Sequence, residues 1–376
     1  MGYRTALTIV LIAASPTQAA PPSPYANIQE LIAQLGDSAF LRREQASQSL
    51  SRIGEPALEP LQHAARTSQD FEIRTRAQHV VDTILVQISR SPTLRMPFVC
   101  VPAGTFRMGS PETEKQRKVD ERQHTIRISH PFLIGKYEVT QDEYHQIMQR
   151  RPSWFSPMGQ GADKVTKQTT GRFPVESVTW FDALVFCNRL SERDGLEPYY
   201  ALSNLKQEKS SYMSANVEIL GGTGYRLPTE AEWECACRAG TSTPYHFGAA
   251  SGGGNYLYKT SANNYGTGTY RLGRTNRVGS YSPNPLRIFD MHGNVAEWCF
   301  DWYDKSYYDR SPSNDPTGPR GGDHRVLRGG SWIVQQTSCR SATRFWAVPG
   351  ETKFTIGFRV VRSLDHVPPD ATKPSR

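Results

Sequence analysis

Tyr225-Arg226-Leu227-Pro228-Thr229-Glu230-Ala231-Glu232-Trp233-Glu234 is the stretch on which the reading of this chain turns. Thr229 is a side-chain cap, Thr229-Glu230-Ala231-Glu232 opens a helix, and Gly240 is placed to stop it. Along that helix Trp233 and Cys237 are four residues apart and share a face. Cys235 lies about 200° around the helix from Cys237, so this C-x-C cannot close on one metal ion while helical. Structural zinc converges four ligands, and the nine histidines are scattered without an H-x-H or H-E-x-x-H spacing. The geometry argues against a zinc site.

Outward from that stretch, two more helices open on threonine. Thr140-Gln141-Asp142-Glu143 is a capping box, with Val139 and Tyr144 spaced as a hydrophobic staple. Thr179 opens the other, with Ala183, Cys187 and Leu190 on one stripe. Between them run short strands, turns and scattered aromatics. With 30 Gly, 26 Pro and 10% aromatic residues, the composition describes a loop-rich, aromatic-packed body rather than a helix bundle.

Upstream of Ser89-Arg90-Ser91-Pro92 the character is different. Residues 27–88 are helical in pattern and contain a weak repeat: Phe40-x-x-Arg43-x-x-Ala46 recurs as Phe71-x-x-Arg74-x-x-Ala77, with Leu50 echoed by Val81. The three-residue steps line Phe, Arg and Ala along one side of a helix, and Gly54, Pro56 and Pro60 separate one helix from the next. This reads as a small all-α, HEAT-like segment that leans on its neighbour or on a protein partner, since such repeats stack to bury a core. A plain helical spacer is the equal alternative. Before it, Arg4, the apolar run Ala6–Ala14 and the small residues Thr17 and Ala19 have the layout of a secretory signal over residues 1–20. The run is too short to span a bilayer. The chain is therefore expected to be exported, periplasmic or extracellular, with no membrane span after cleavage.

The formal net charge is +8 over 376 residues. No Lys/Arg run or nucleic-acid motif accompanies it, and several arginines sit in Gly- and aromatic-rich strings. They read as buried hydrogen-bonding arginines, which excludes nucleic acid as the partner.

Short motifs recur in a fixed order across residues 96–362. Val101-Pro102-Ala103-Gly104-Thr105-Phe106-x-Met108-Gly109-Ser110 comes first, then Tyr137-Glu138-Val139-Thr140 and Pro174-Val175-x-x-Val178-x-Trp180-x-Asp182-Ala183. The opening stretch above follows, then Met291-x-Gly293-Asn294-Val295-x-Glu297-Trp298, Arg328-Gly329-Gly330-Ser331-Trp332 and Gly357-Phe358-Arg359. Together they resemble the sulfatase-modifying-factor (formylglycine-generating enzyme) family. The resemblance implies an α+β, C-type-lectin-like domain of low regular secondary structure over 96–363, leaving 364–376 as a disordered tail.

It also implies a chemistry. Members of that family oxidise a cysteine of a sulfatase segment to formylglycine with oxygen, two cysteines five residues apart holding Cu(I). Soft thiolates suit that ion. Counting forward from Gly329-Gly330-Ser331, Val334 takes the first cysteine position and Cys339 the second. Counting back from Arg340-Ser341-Ala342-Thr343-Arg344 leaves no cysteine at either. Catalytic candidates by resemblance are Cys339, also the copper candidate, and Ser331, which otherwise reads as a turn serine. Cys339 is alternatively the disulfide partner of Cys237, in place of a family bridge.

The family's calcium stretch corresponds to Asp290, Gly293, Val295 and Glu297, carboxylates at the ends and carbonyls between, as calcium's oxygen preference requires. The alternative gives both carboxylates to buried arginines such as Arg328 or Arg359. A second calcium site would fall near Asn263-Asn264 and Tyr270–Leu272. Two functions stay open: a formylglycine-type oxidoreductase acting on a peptide or protein substrate, and a non-catalytic ligand- or protein-binding module.

Overall fold

The computed structural model describes residues 24–249 and 272–364, in two compact units, one ending at Ile84 and one beginning at Leu85. The signal-like residues 1–20, the tail after Leu364, and Asn263, Asn264 and Tyr270 of the second calcium expectation lie outside the described residues.

The first unit is built from α1 (Pro24–Gln34), α2 (Phe40–Ile53), α3 (Leu58–Thr67) and most of α4 (Phe71–Ile88), whose last turn lies past the boundary. Gly54, at φ 72°, ends α2. The sequence repeat has a physical content. Arg43 Nη1 donates to the carbonyls of Asp37 and Ser38 at 2.7 and 3.0 Å, and Arg74 Nη1 to those of Ser68 and Gln69 at 2.8 and 3.0 Å. Each arginine ties down the loop that precedes its own helix and stacks on its own Phe40 or Phe71. The buried side is carried by Ala46, Leu50, Ala77 and Val81, while Phe40 and Phe71 are 59% and 71% exposed.

The second unit carries short strands around three capped helices. Strands β1 (Phe98–Val101), β2 (Gly104–Met108), β3 (His124–Ile128) and β4 (Phe132–Gly135) precede α5 (Gln141–Met148) and α6 (Trp180–Arg193). An antiparallel hairpin, β5 (Tyr200–Glu208) and β6 (Ser211–Ile219), is followed by β7 (Tyr225–Arg226) and α7 (Glu230–Arg238). Then come β8 (Ala296–Trp302), β9 (Arg325–Arg328), β10 (Phe345–Ala347), β11 (Ile356–Gly357) and β12 (Val361–Ser363). One four-stranded sheet is ordered β1-β4-β12-β7 and is antiparallel; a second four-stranded sheet is β10-β9-β8-β11, with β11 parallel to β8, and β2 pairs with β3 alone. This is a mixed α+β architecture with few helices.

All three helices begin at the expected threonines. Thr140, Thr179 and Thr229 each accept an N3 backbone N–H, and Glu143, Asp182 and Glu232 each return a bond to the cap N–H. Val139 and Tyr144 are both buried. Helix α7 ends one residue earlier than Gly240 suggests: Ala239 itself takes the left-handed conformation at φ 48°.

The core is aromatic with charges threaded through it. Trp180, Trp233 and Trp298 are fully buried, and their indole N–H groups reach the Cys299 carbonyl (2.9 Å), Glu297 (2.7 Å) and the Val178 carbonyl (3.1 Å). A buried indole needs such a partner. Arg328 bridges Glu230 and Glu234, Arg344 grips Glu230 with two nitrogens, and all are buried. No described helix is long and apolar enough to cross a membrane.

Candidate functional site

Strand β9 delivers Arg328 into the core and leaves it through Gly329 and Gly330, at φ 88° and 71°. That left-handed turn brings the chain back against Cys339. An added Cβ at Gly330 would lie 2.6 Å from Cys339 Sγ and 3.1 Å from Val334 Cγ2. The loop between wraps over the thiol: Val334 N–H bonds the Ser331 carbonyl at 3.2 Å, and Cys339 N–H the Gln336 carbonyl at 2.8 Å. Trp332, half-buried, packs on Phe155 and Phe354. Cys339 is 0% exposed. Burial pushes its thiol well above the ordinary range, against the Ser331 N–H directed at it. Ser331 is buried beside it.

Behind Cys339 stands His292. Its Nδ1 is 2.8 Å from the Cys339 carbonyl, which can only accept, so Nδ1 carries the proton. Nε2 is then the acceptor, taking the His246 backbone N–H at 3.2 Å, with Cys237 Sγ 3.8 Å away. The His246 and His292 rings stack at 4.9 Å. Burial pushes His292 down to about 3 and His246 down to about 4, so both are neutral near pH 7. Cys237, on α7, also approaches Ser341 Oγ (3.6 Å) and the Met291 carbonyl (3.8 Å), and burial pushes it up to about 12.

Cys237 and Cys339 are free buried thiols in this structure, so the bridge the sequence suggested between them is not formed. A neutral imidazole, bonded to the Cys339 backbone, stands beside Cys237 instead. Cys187 is free and buried, and Cys299 is a core thiol. The surroundings of Cys339 do not fit copper. It is one protonated sulfur, with Val334 rather than a second sulfur packed on the same glycine, and among the described residues no three His, Cys, Asp or Glu side chains are grouped to hold a metal.

Around the turn before β8, Glu297 gives both oxygens to Arg359, at 2.5 and 2.6 Å, and one of them also to Trp233. Asp290, at φ 63°, accepts the Gly279 N–H at 2.7 Å through Oδ2, while Oδ1 is buried without a partner. Glu138 accepts from Asn294 Nδ2 (2.8 Å) and Val295 N–H (3.2 Å). Burial, then the charges of Asp290 and Glu297, push Glu138 well above the carboxylate range, and burial raises Asp290 to about 6. Three carboxylates thus share one guanidinium. For calcium, this leaves the orphaned Asp290 Oδ1 and main-chain carbonyls as available ligands; Glu297 is already committed to Arg359. Glu138 is a member of this cluster that sequence reasoning did not single out, since it lies 152 positions before Asp290.

The family model described as the sulfatase-modifying factor enzyme 1-like domain matches residues 87–364. A chaperone protein LppX of Paenibacillus barcinonensis is 31% identical over 271 residues, 65% of this chain and 81% of that protein. A formylglycine-generating enzyme of Thermomonospora curvata is 28% identical over 305 residues, 72% of this chain and 95% of the enzyme. Among solved structures, Treponema denticola variable protein 1 is similar at a TM-score of 0.61 and 30% identity, over 73% of this chain and 97% of its own.

Proposed function

The chain belongs to the sulfatase-modifying factor enzyme 1-like family, and from that premise we propose that it is an exported peptide- or protein-binding module that does not carry out the copper-thiolate oxidation. One observation carries the reading. Beside the Gly-Gly-Ser turn stands a single buried, protonated thiol, and Val334, which packs on the same glycine, takes the place of a second one. Oxygen chemistry of that type needs accessible thiolates, and this site supplies none. The similarity to a relative named a chaperone protein, over 81% of that protein, supports a role in handling polypeptide. The signal-like residues 1–20 support export.

The competing reading, an active oxidase, draws on the similarity to a formylglycine-generating enzyme over 95% of its length. Incubating the full chain with a Cys-x-Pro-x-Arg peptide, copper and oxygen separates the two. Mass spectrometry is expected to return the peptide's cysteine unchanged; an aldehyde product would overturn the proposal. Calcium, where bound, would be held by Asp290 with the Gly293 and Val295 carbonyls, and would neutralise part of the surplus charge there.

A further inference from the structure

Most buried arginines in this unit come with carboxylates. Arg226, Arg328, Arg340, Arg344 and Arg359 each hold one at 2.5–2.7 Å. Arg325 departs from those five. It is 5% exposed, and its guanidinium carbon lies 3.7 Å from the ring centre of Trp180 and 3.5 Å from that of Trp302. Nη1 donates to the Phe300 carbonyl at 2.5 Å, Nε is buried with no hydrogen-bond partner, and the side chain forms no ion pair among the described residues. Asp301 acts on it electrostatically, but spends Oδ2 on the Glu230 N–H. Burial and Glu230 push the Asp301 carboxyl well above the ordinary range, so it is a poor counter-ion.

Arg325 lines a cavity of about 1050 Å³ whose walls include Phe132, Tyr199, Phe300 and Trp302. Of the other charges there, Glu232 neutralises Arg226 and Asp304 neutralises Arg310, while Asp315 accepts from Ser129 and keeps its negative charge at an exposed position. Arg320, exposed on the rim, adds a second positive charge. A desolvated cation without a partner is costly, and a planar guanidinium is best satisfied by a carboxylate. Aromatic walls around one such group are the usual composition of a ligand site.

We infer that this cavity binds a carboxylate-bearing ligand, its charge on Arg325 and its apolar body along the aromatic wall. The carboxylate belongs either to a small acid or to the end of a peptide. The site does not depend on the state of Cys339, and stands whether or not the chain oxidises anything.

The test is titration calorimetry on the full chain with N-acetyl-L-phenylalanine, its uncharged amide, and the peptide Gly-Ser-Gly-Ser-Phe with a free C-terminus. The acid is expected to bind at least about tenfold more tightly than the amide, because only the acid completes the buried charge pair. Arg325→Gln should weaken the acid by at least about tenfold and leave the amide unchanged. Val217→Trp, which fills the cavity from β6 and leaves the indole clamp intact, should abolish binding of both. A peptide that binds tighter than the acid assigns the site to polypeptide ends; one that binds equally or more weakly assigns it to small acids. Absence of saturable binding by either acid, equal binding of acid and amide, or a Val217→Trp variant that binds like the wild type would overturn the inference.

Discussion

Gly330 shows how closely the chain is packed where the family's reaction centre would be. Its φ of 71° disfavours any side chain, and an alanine methyl would meet Cys339 Sγ at 2.6 Å. Gly330→Ala is therefore expected to cost about 2–4 kcal/mol, from left-handed strain together with overpacking. Denaturant melts of Gly330→Ala, Cys339→Ala and the double variant check this. Removing the sulfur should recover at least about 1 kcal/mol of the cost, and strictly additive losses would contradict the contact. At this scale the sequence shows that a glycine pair precedes a serine and that a valine and a cysteine follow. It does not show that the thiol turns inward beneath Gly330, because burial of Cys339 is decided by how the loop after Ser331 folds over it. The pairing of Glu297 with Arg359 was legible as an alternative; the isolation of Asp290 Oδ1 was not.

Among the elements, those with local signals were the most legible. A threonine and an acid three residues later write both halves of a capping box into adjacent sequence, and α5, α6 and α7 all start there. Thr229→Ala is expected to cost about 1 kcal/mol, since the Glu232 N–H loses its acceptor at 3.1 Å. A thermal melt checks it, and no measurable loss would argue against the cap. The repeat of the helical unit was also legible, though its meaning was not. Arg43 and Arg74 bind carbonyls of the loops before α2 and α4, a contact that periodicity alone cannot distinguish from a shared helical face. The Arg325 clamp was illegible, because Trp180 stands 145 positions from Arg325 and Trp302 23 positions away, and only the packing of α6 and β8 against β9 joins them.

Across the whole molecule the buried charges make stability depend on pH. Glu176 accepts from the Trp154 and Phe155 N–H groups and from Ser177, yet burial outweighs these bonds and raises its carboxyl to about 7. A carboxyl raised in the fold contributes stability that is fully present below the unfolded value near 4.5 and is lost as pH rises through 7. That contribution amounts to about 3 kcal/mol at 1.4 kcal/mol per tenfold. Glu176→Gln should flatten the stability profile between pH 4.5 and 7 relative to the wild type; parallel profiles would contradict the raised carboxyl. Calcium should raise the melting temperature of the wild type, increasing with the logarithm of its concentration once the site is filled, and Asp290→Asn should remove that response. A wild-type melting temperature indifferent to millimolar calcium would exclude the ion from this turn.

Native-state alkylation of the thiols, mapped by mass spectrometry before and after unfolding, tests the central claim most directly. With Cys339 buried, protonated and unbridged, iodoacetamide at neutral pH should leave it unlabelled in the folded chain. In denaturant without reductant, both Cys339 and Cys237 should label fully. Rapid labelling of Cys339 in the native protein would contradict the account, and so would a Cys237–Cys339 disulfide that labels only after reduction.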